Sequence, residues 1–131
     1  MRIRVIQDFK PDANFKESQE YQVYGISIEN TGSLNVLIEW GQYYGKYGKP
    51  QWFPLNDFEI IDSRIPYNWK VILINKGSEY EFLSSDYNIK SIMGYDKLVE
   101  SSEHWTGLLN RNREDLDYFY ENIHNQIDTI D

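Results

Sequence analysis

Alternating apolar and polar side chains in the first half of the chain predict strands, and a longer period beyond Gly94 predicts helices. Ile3, Val5 and the Ile6/Phe9 side form a first strand, which the turn residues Lys10-Pro11-Asp12-Ala13-Asn14 break. From Tyr21 to Glu29 the residues Tyr21, Val23 and Gly25 alternate with Gln22, Tyr24 and Ile26, the period of a half-buried second strand. Asn30-Thr31-Gly32-Ser33 is a hairpin signal, and Leu34 to Trp40 returns as strand three. Gly41 to Pro50 follows as an expected loop holding three Gly and Tyr43, Tyr44 and Tyr47. Trp52-Phe53-Pro54-Leu55-Asn56-Asp57-Phe58-Glu59-Ile60-Ile61 then gives a strand, a tight turn fixed by Pro and Asn, and a fifth strand.

Pro66 biases Ile65 to an extended conformation and ends this series near residue 62. Trp69 to Ile74 is a strand-like apolar run, Asn75-Lys76-Gly77-Ser78 a turn, and Glu79 to Leu83 the expected partner strand. Tyr95 to Glu100 and Glu103 to Leu109 are expected helices, with Ser101 and Ser102 placed to cap the second. In the last helix Asn112 is the cap, Glu114 and Asp115 complement the N-terminal dipole, and Leu116, Phe119, Tyr120, Ile123 and Ile127 make one apolar face. That face is expected to pack with Trp69, Tyr95, Trp105 and Leu108. The organisation expected is one compact domain over 1–131: strands over 1–62, a β extension over 63–93 and a helical part over 94–131.

The chain's 131 residues suffice for one self-sufficient core, and the absence of cysteine excludes disulfide scaffolds and thiolate metal sites. That absence, with no apolar run of signal-peptide or membrane-spanning length, makes a cytoplasmic location the expectation. A net charge of −8 disfavours nucleic-acid phosphates and suits a cationic partner. The acids concentrate late, with twelve of the 21 lying from Tyr67 onward. Aromatic side chains make up 16% of the chain, and tyrosine serves both cores and interfaces.

Val5-Ile6-Gln7-Asp8-Phe9, the run from Phe15 through Tyr21 to Gly25, and the corner Pro54-Leu55-Asn56-Asp57 resemble a Src-homology-3 domain. The resemblance covers about half the chain. It implies an α+β fold: an N-terminal five-stranded SH3-like β-barrel, then a short β-hairpin and two or three C-terminal helices packed on it. In that family Ala-Leu-Tyr-Asp-Tyr, Pro-x-Asn-Tyr and a Trp opening the third strand build the groove for polyproline ligands. Here Gln7 stands at the first groove Tyr, Asp57 at the corner Tyr and Ser33-Leu34 at the third-strand opening, while Pro54 and Asn56 are kept. The resemblance therefore implies the barrel without the proline-rich ligand.

The candidate chemistry is sparse. Glu121-Asn122-Ile123-His124 has the Glu-x-x-His spacing of di-iron bundles but lacks the second copy and additional Glu that such centres use. His104 lies near Ser101 and Ser102, which helix capping explains, and no Gly-x-Ser-x-Gly turn is present. Gly41 to Gly48 opens no helix and so lacks the context of a phosphate loop. No catalytic residue, metal or cofactor is expected.

Binding remains. Tyr43, Tyr44 and Tyr47 suit a protein-contacting patch, Trp52 and Asp57 with Trp40 an aromatic cage for a cation, and Asp115, Asp117 and Glu121 a surface that steers a basic protein. A small, acidic, aromatic-rich, cysteine-free chain resembles in profile the immunity proteins of bacterial contact-dependent and polymorphic toxin systems. The resemblance implies a cytoplasmic protein that neutralises a cognate toxin, basic and of nuclease type. The competing expectation is an SH3-like binding or regulatory module for a peptide or cationic ligand.

Overall fold

The structure is a computed structural model that describes residues 1–6, 19–44 and 47–124. Its strands are β1 (Arg2–Val5), β2 (Glu20–Glu29), β3 (Leu34–Tyr44), β4 (Tyr47–Pro54), β5 (Phe58–Asp62), β6 (Lys70–Leu73) and β7 (Ile89–Gly94). A single 3-10 turn, Leu55–Asp57, joins β4 to β5. The helices are α1 (Glu81–Tyr87), α2 (Asp96–Glu100), α3 (Ser102–Leu109) and α4 (Arg113–Tyr118), and α4 runs into one π turn, Phe119–Ile123. The strands pair antiparallel in the order β4-β3-β2-β1-β5.

Strand β2 holds this arrangement together. One edge pairs with β3; the other pairs with β1 at Glu20, Tyr21 and Gln22, then with β7 from Gly25 to Glu29, and β7 carries β6 beyond it. No pairing joins β4 to β5 among the described residues, so the sheet is mixed with helices and open rather than closed into a barrel. The five strands expected before residue 62 are present, but the sheet extends sideways through β7 and β6.

Each face of β2 has its own core. Val23 pairs with Ile38 and Gly25 with Leu37, which leaves Tyr24 as the extra residue of a β-bulge. The bulge breaks the simple alternation expected here: Tyr21, Val23 and Ile26 pack with Met1, Ile3, Val5, Val36, Ile38, Phe53 and Phe58. Tyr24 turns to the opposite core, with Leu37, Tyr80, Leu83, Ile92, Tyr95, Leu98, Trp105, Leu116 and Phe119. The last-helix face is buried as expected at Leu116, Phe119, Tyr120 and Ile123, whereas Trp69 packs in the first core and not beneath the helices. Ile127, Phe9 and the 10–14 turn lie outside the described residues.

Two further sequence expectations are overturned. Glu79 to Leu83 does not form a partner strand for β6, because Tyr80 and Leu83 face one core at helical spacing as the chain enters α1, and Tyr80 Oη donates to the Leu98 carbonyl at 2.7 Å. The partner of β6 is β7, where Lys90 and Ser91 interrupt the apolar alternation while Ile89 and Ile92 are buried. The segment expected as a Tyr-rich loop is instead an extension of the β3–β4 hairpin, with Tyr44 opposite Tyr47. No helix among the described residues is long and apolar enough to cross a membrane.

Gly25 and Gly94 lie opposite each other where β2 meets β7. A Cβ on Gly94 would come within 2.8 Å of Leu98 Cδ2 and 3.0 Å of the Tyr24 carbonyl oxygen, so glycine here lets α2 settle onto the sheet. Gly94→Ala is expected to cost about 1–3 kcal/mol in denaturant unfolding, as overpacking. Phe119, fully buried at 0% exposure, is expected to cost about 3–5 kcal/mol when cut to Ala.

Candidate functional site

A groove of about 240 Å³ opens where the sheet meets the helices, lined by Ser27, Glu29, Asn35, Trp52, Tyr87, Ile89, Trp105 and Leu109. Its polar floor follows from strand register. Ser27 lies opposite Asn35, and Glu29 follows two residues later on the same face of β2. Asn35 Nδ2 donates to Glu29 Oε2 at 3.1 Å, which orients the amide and leaves its oxygen without a partner among the described residues. Trp52, opposite Leu37 on β4, forms one wall, and a Cβ on Gly25 would already stand 3.3 Å from its ring. The other wall is Trp105 on α3, packed edge-on against Tyr87 with centroids 5.4 Å apart and against Phe82 at 5.9 Å. Trp105 Nε1 is buried without a hydrogen-bond partner among the described residues, so aromatic packing and not its N–H holds the indole.

Tyr87 reaches the rim because the helix ends there. Asn88 adopts the left-handed conformation (φ 59°), and its carbonyl and side chain bond to Asn30 at the β2–β3 turn. Tyr87 is left 46% exposed beside Leu109 at 40%.

Several of the acids are paired with bases. Arg2 contacts Glu20 and Asp62, Arg4 contacts Glu59, Lys70 contacts Asp96 and Glu100, and Arg113 lies 3.8 Å from Asp117. Glu29 is one of the acids with no basic partner among the described residues, and its carboxylate accepts from Asn35 Nδ2. The sequence did signal Trp52, but not Glu29, Tyr87 or Trp105 as members of one site. That grouping depends on α1 and β7, the two elements the alternation pattern hid.

A second polar cluster sits beneath the helices. Asp115 Oδ1 accepts from His104 Nδ1 at 2.8 Å, which leaves Nε2 of a neutral ring to accept from Tyr95 Oη at 2.7 Å. Gly107 makes room for the carboxylate, since a Cβ there would lie 1.8 Å from Asp115 Oδ2. Ser101 caps α3 by accepting from the His104 amide, as its position in the sequence suggests. The cluster has the order of a catalytic relay but is enclosed: His104 is 1% exposed, its Nε2 is occupied, and burial holds the Tyr95 phenol well above its usual pKa. Its chemistry is structural, binding α4 to α3 and to the turn before α2.

The candidate residues fall in several places. Trp52 alone lines the groove; Trp40 packs edge-on to Phe53 in the other core, and Asp57 occupies the 3-10 turn. Tyr43, Tyr44 and Tyr47 lie on the β3–β4 hairpin, where their side chains are outside the described structure. Asp115 faces inward on His104 with its side chain 14% exposed, whereas Asp117 is 43% exposed and Glu121 is exposed on the π turn. His124 Nδ1 contacts Glu39, and among the described residues no group of three or more metal-ligating side chains converges.

Burial lowers the His104 pKa below its ordinary 6.5, with the Asp115 hydrogen bond and charge opposing it and Lys97 adding to it. A depressed histidine pKa contributes stability that is fully present above the unfolded value and is lost as pH falls through the folded one. Unfolding free energy should therefore decline from pH 7 to 5, and His104→Gln should flatten that part of the decline. Equal slopes in denaturant melts of the two proteins would contradict this assignment.

Comparison of the chain with protein-family models, with curated proteins and with solved structures found no match.

Proposed function

We propose that this chain is a binding protein, and specifically an immunity protein that neutralises a cognate, basic, nuclease-type bacterial toxin in the cytoplasm. The observation that carries the reading is an aromatic-walled groove holding an unpaired carboxylate, on a chain of net charge −8. Negative charge speeds encounter with a basic protein, and buried aromatic contacts slow its release. The exposed steering charges are Asp117 and Glu121; Asp115 serves His104 instead. The SH3-like reading of the first 62 residues is supported by the strand order and by the 3-10 turn that follows Pro54. The partner is a protein, with neither nucleic acid nor membrane bound. The groove also favours a second reading, a regulatory module that holds a cationic ligand without any toxin.

Growth rescue separates the two. In cells poisoned by the product of the gene next to its own, co-expression of this chain should restore growth; equal growth with and without the chain would refute the immunity reading and leave the module. In the rescued pair, Asp117→Lys with Glu121→Lys should slow association about tenfold at low salt and flatten its salt dependence. Replacing Tyr43, Tyr44 and Tyr47 by Ala should instead speed dissociation about tenfold. An unchanged dissociation rate would remove the hairpin from the interface.

A further inference from the structure

We propose that the groove bounded by β2, β3, β4, α1 and α3 receives one arginine side chain of the partner. The proposal deepens the binding reading above and rests on it for the partner being a basic protein.

The lining selects this chemistry. Glu29 excludes anions and, having no basic partner among the described residues, keeps Oε1 open. Asn35 Oδ1, turned away from Glu29 by the Nδ2 bond, and Ser27 Oγ have no partner among the described residues. Three acceptors therefore share one floor beneath two indoles and a phenol. A guanidinium matches both features: its edges donate up to five hydrogen bonds in a plane, and its weakly hydrated faces stack on aromatic rings. A lysine ammonium is a compact, strongly hydrated charge that gives up more hydration to enter and stacks less well. A neutral apolar side chain would cover Glu29 and leave a buried charge without a partner, which is costly. The rim residues Tyr87 and Leu109 are exposed, so an incoming side chain meets apolar surface before it reaches the carboxylate.

The site is separate from the buried Tyr95–His104–Asp115 cluster, although α3 contributes to both. Its position between sheet and helices lets a side chain enter without displacing either core.

The test is a titration of the full chain, 15N-labelled, with N-acetyl-arginine methylamide, read on the four indole N–H signals. Saturable shifts are expected at Trp52 and Trp105, with Trp40 and Trp69 unmoved. The lysine analogue should bind about fivefold more weakly, and the neutral citrulline analogue, which keeps the shape without the charge, about tenfold more weakly. Glu29→Gln should weaken arginine binding about tenfold and remove its preference over citrulline. Trp52→Leu, a second variant away from the carboxylate, should weaken it while preserving that preference. Equal binding of arginine and citrulline, no saturable shift, or an unchanged affinity in folded Glu29→Gln would overturn the proposal. Shifts that follow protein concentration without peptide would overturn it in favour of a second copy as occupant. An arginine response without growth rescue would keep the groove and discard the toxin; rescue without an arginine response would discard the groove alone.

Discussion

Strand β2 has to bury both of its faces at once, and most of the fold follows from how it does so. A regular strand would send Val23 and Gly25 to one side and Tyr24 to the other. The bulge at Tyr24 brings Ile26 to the side of Val23, in the core built on β1 and β5, while Tyr24 alone goes to the core beneath the helices. The same strand needs two neighbours on one edge, β1 first and β7 afterwards. Glycine on both strands at the second junction allows Leu98 to descend onto the sheet, so helix docking and strand pairing depend on the same pair of missing side chains.

Polar contacts then set where the C-terminal elements sit. Arg111, in a left-handed conformation at φ 59°, donates to the Leu108 carbonyl at 2.7 Å and to the Pro50 carbonyl at 2.6 Å, capping α3 while tying it to β4. Tyr120 Oη donates to the Gly48 carbonyl at 2.7 Å, and Glu39 accepts from the Gly48 amide while contacting His124. Apolar burial is tolerant of small slides between packed surfaces, but a buried donor left without its acceptor costs about 1–3 kcal/mol. These bonds therefore define one position for the helices on the β3–β4 hairpin. Burial, with the Glu39 charge, also raises the Tyr24 phenol well above its ordinary pKa, which keeps that core neutral.

What was legible in the sequence was local. The strands β2 and β3, the Pro54 corner, the caps at Ser101 and Asn112 and the apolar face from Leu116 to Ile123 each depend on neighbours within a few residues, and each is present. The failures have one physical source, contacts made far along the chain. Tyr80-Glu81-Phe82-Leu83 has a strand-like composition and becomes helical because Tyr80 and Leu83 both find the core that α2 and α3 complete. Strand β7 has a weak alternation because it is central, with β2 on one edge and β6 on the other, and Ser91 is satisfied by the Ile72 carbonyl at 2.8 Å rather than by solvent. Trp69 is apolar enough for the helical core but packs in the other one, since hydrophobicity does not say which of two cores a residue will join.

The groove belongs to the same class of long-range consequences. Its carboxylate and amide come from strands whose register is set by the β2–β3 hairpin, while its aromatic wall comes from α1 and α3, placed by the turn at Asn88 and by Arg111. Neither half makes a concave site alone. A sheet face carrying Ser27, Glu29 and Asn35 would be an ordinary wet surface, where a lone carboxylate is well solvated and attracts cations weakly. Setting Trp52, Trp105 and Tyr87 around it gives the half-buried carboxylate aromatic neighbours on two sides. The strand-to-helix packing that completes the second core thus also sets a surface acid inside an aromatic-walled groove.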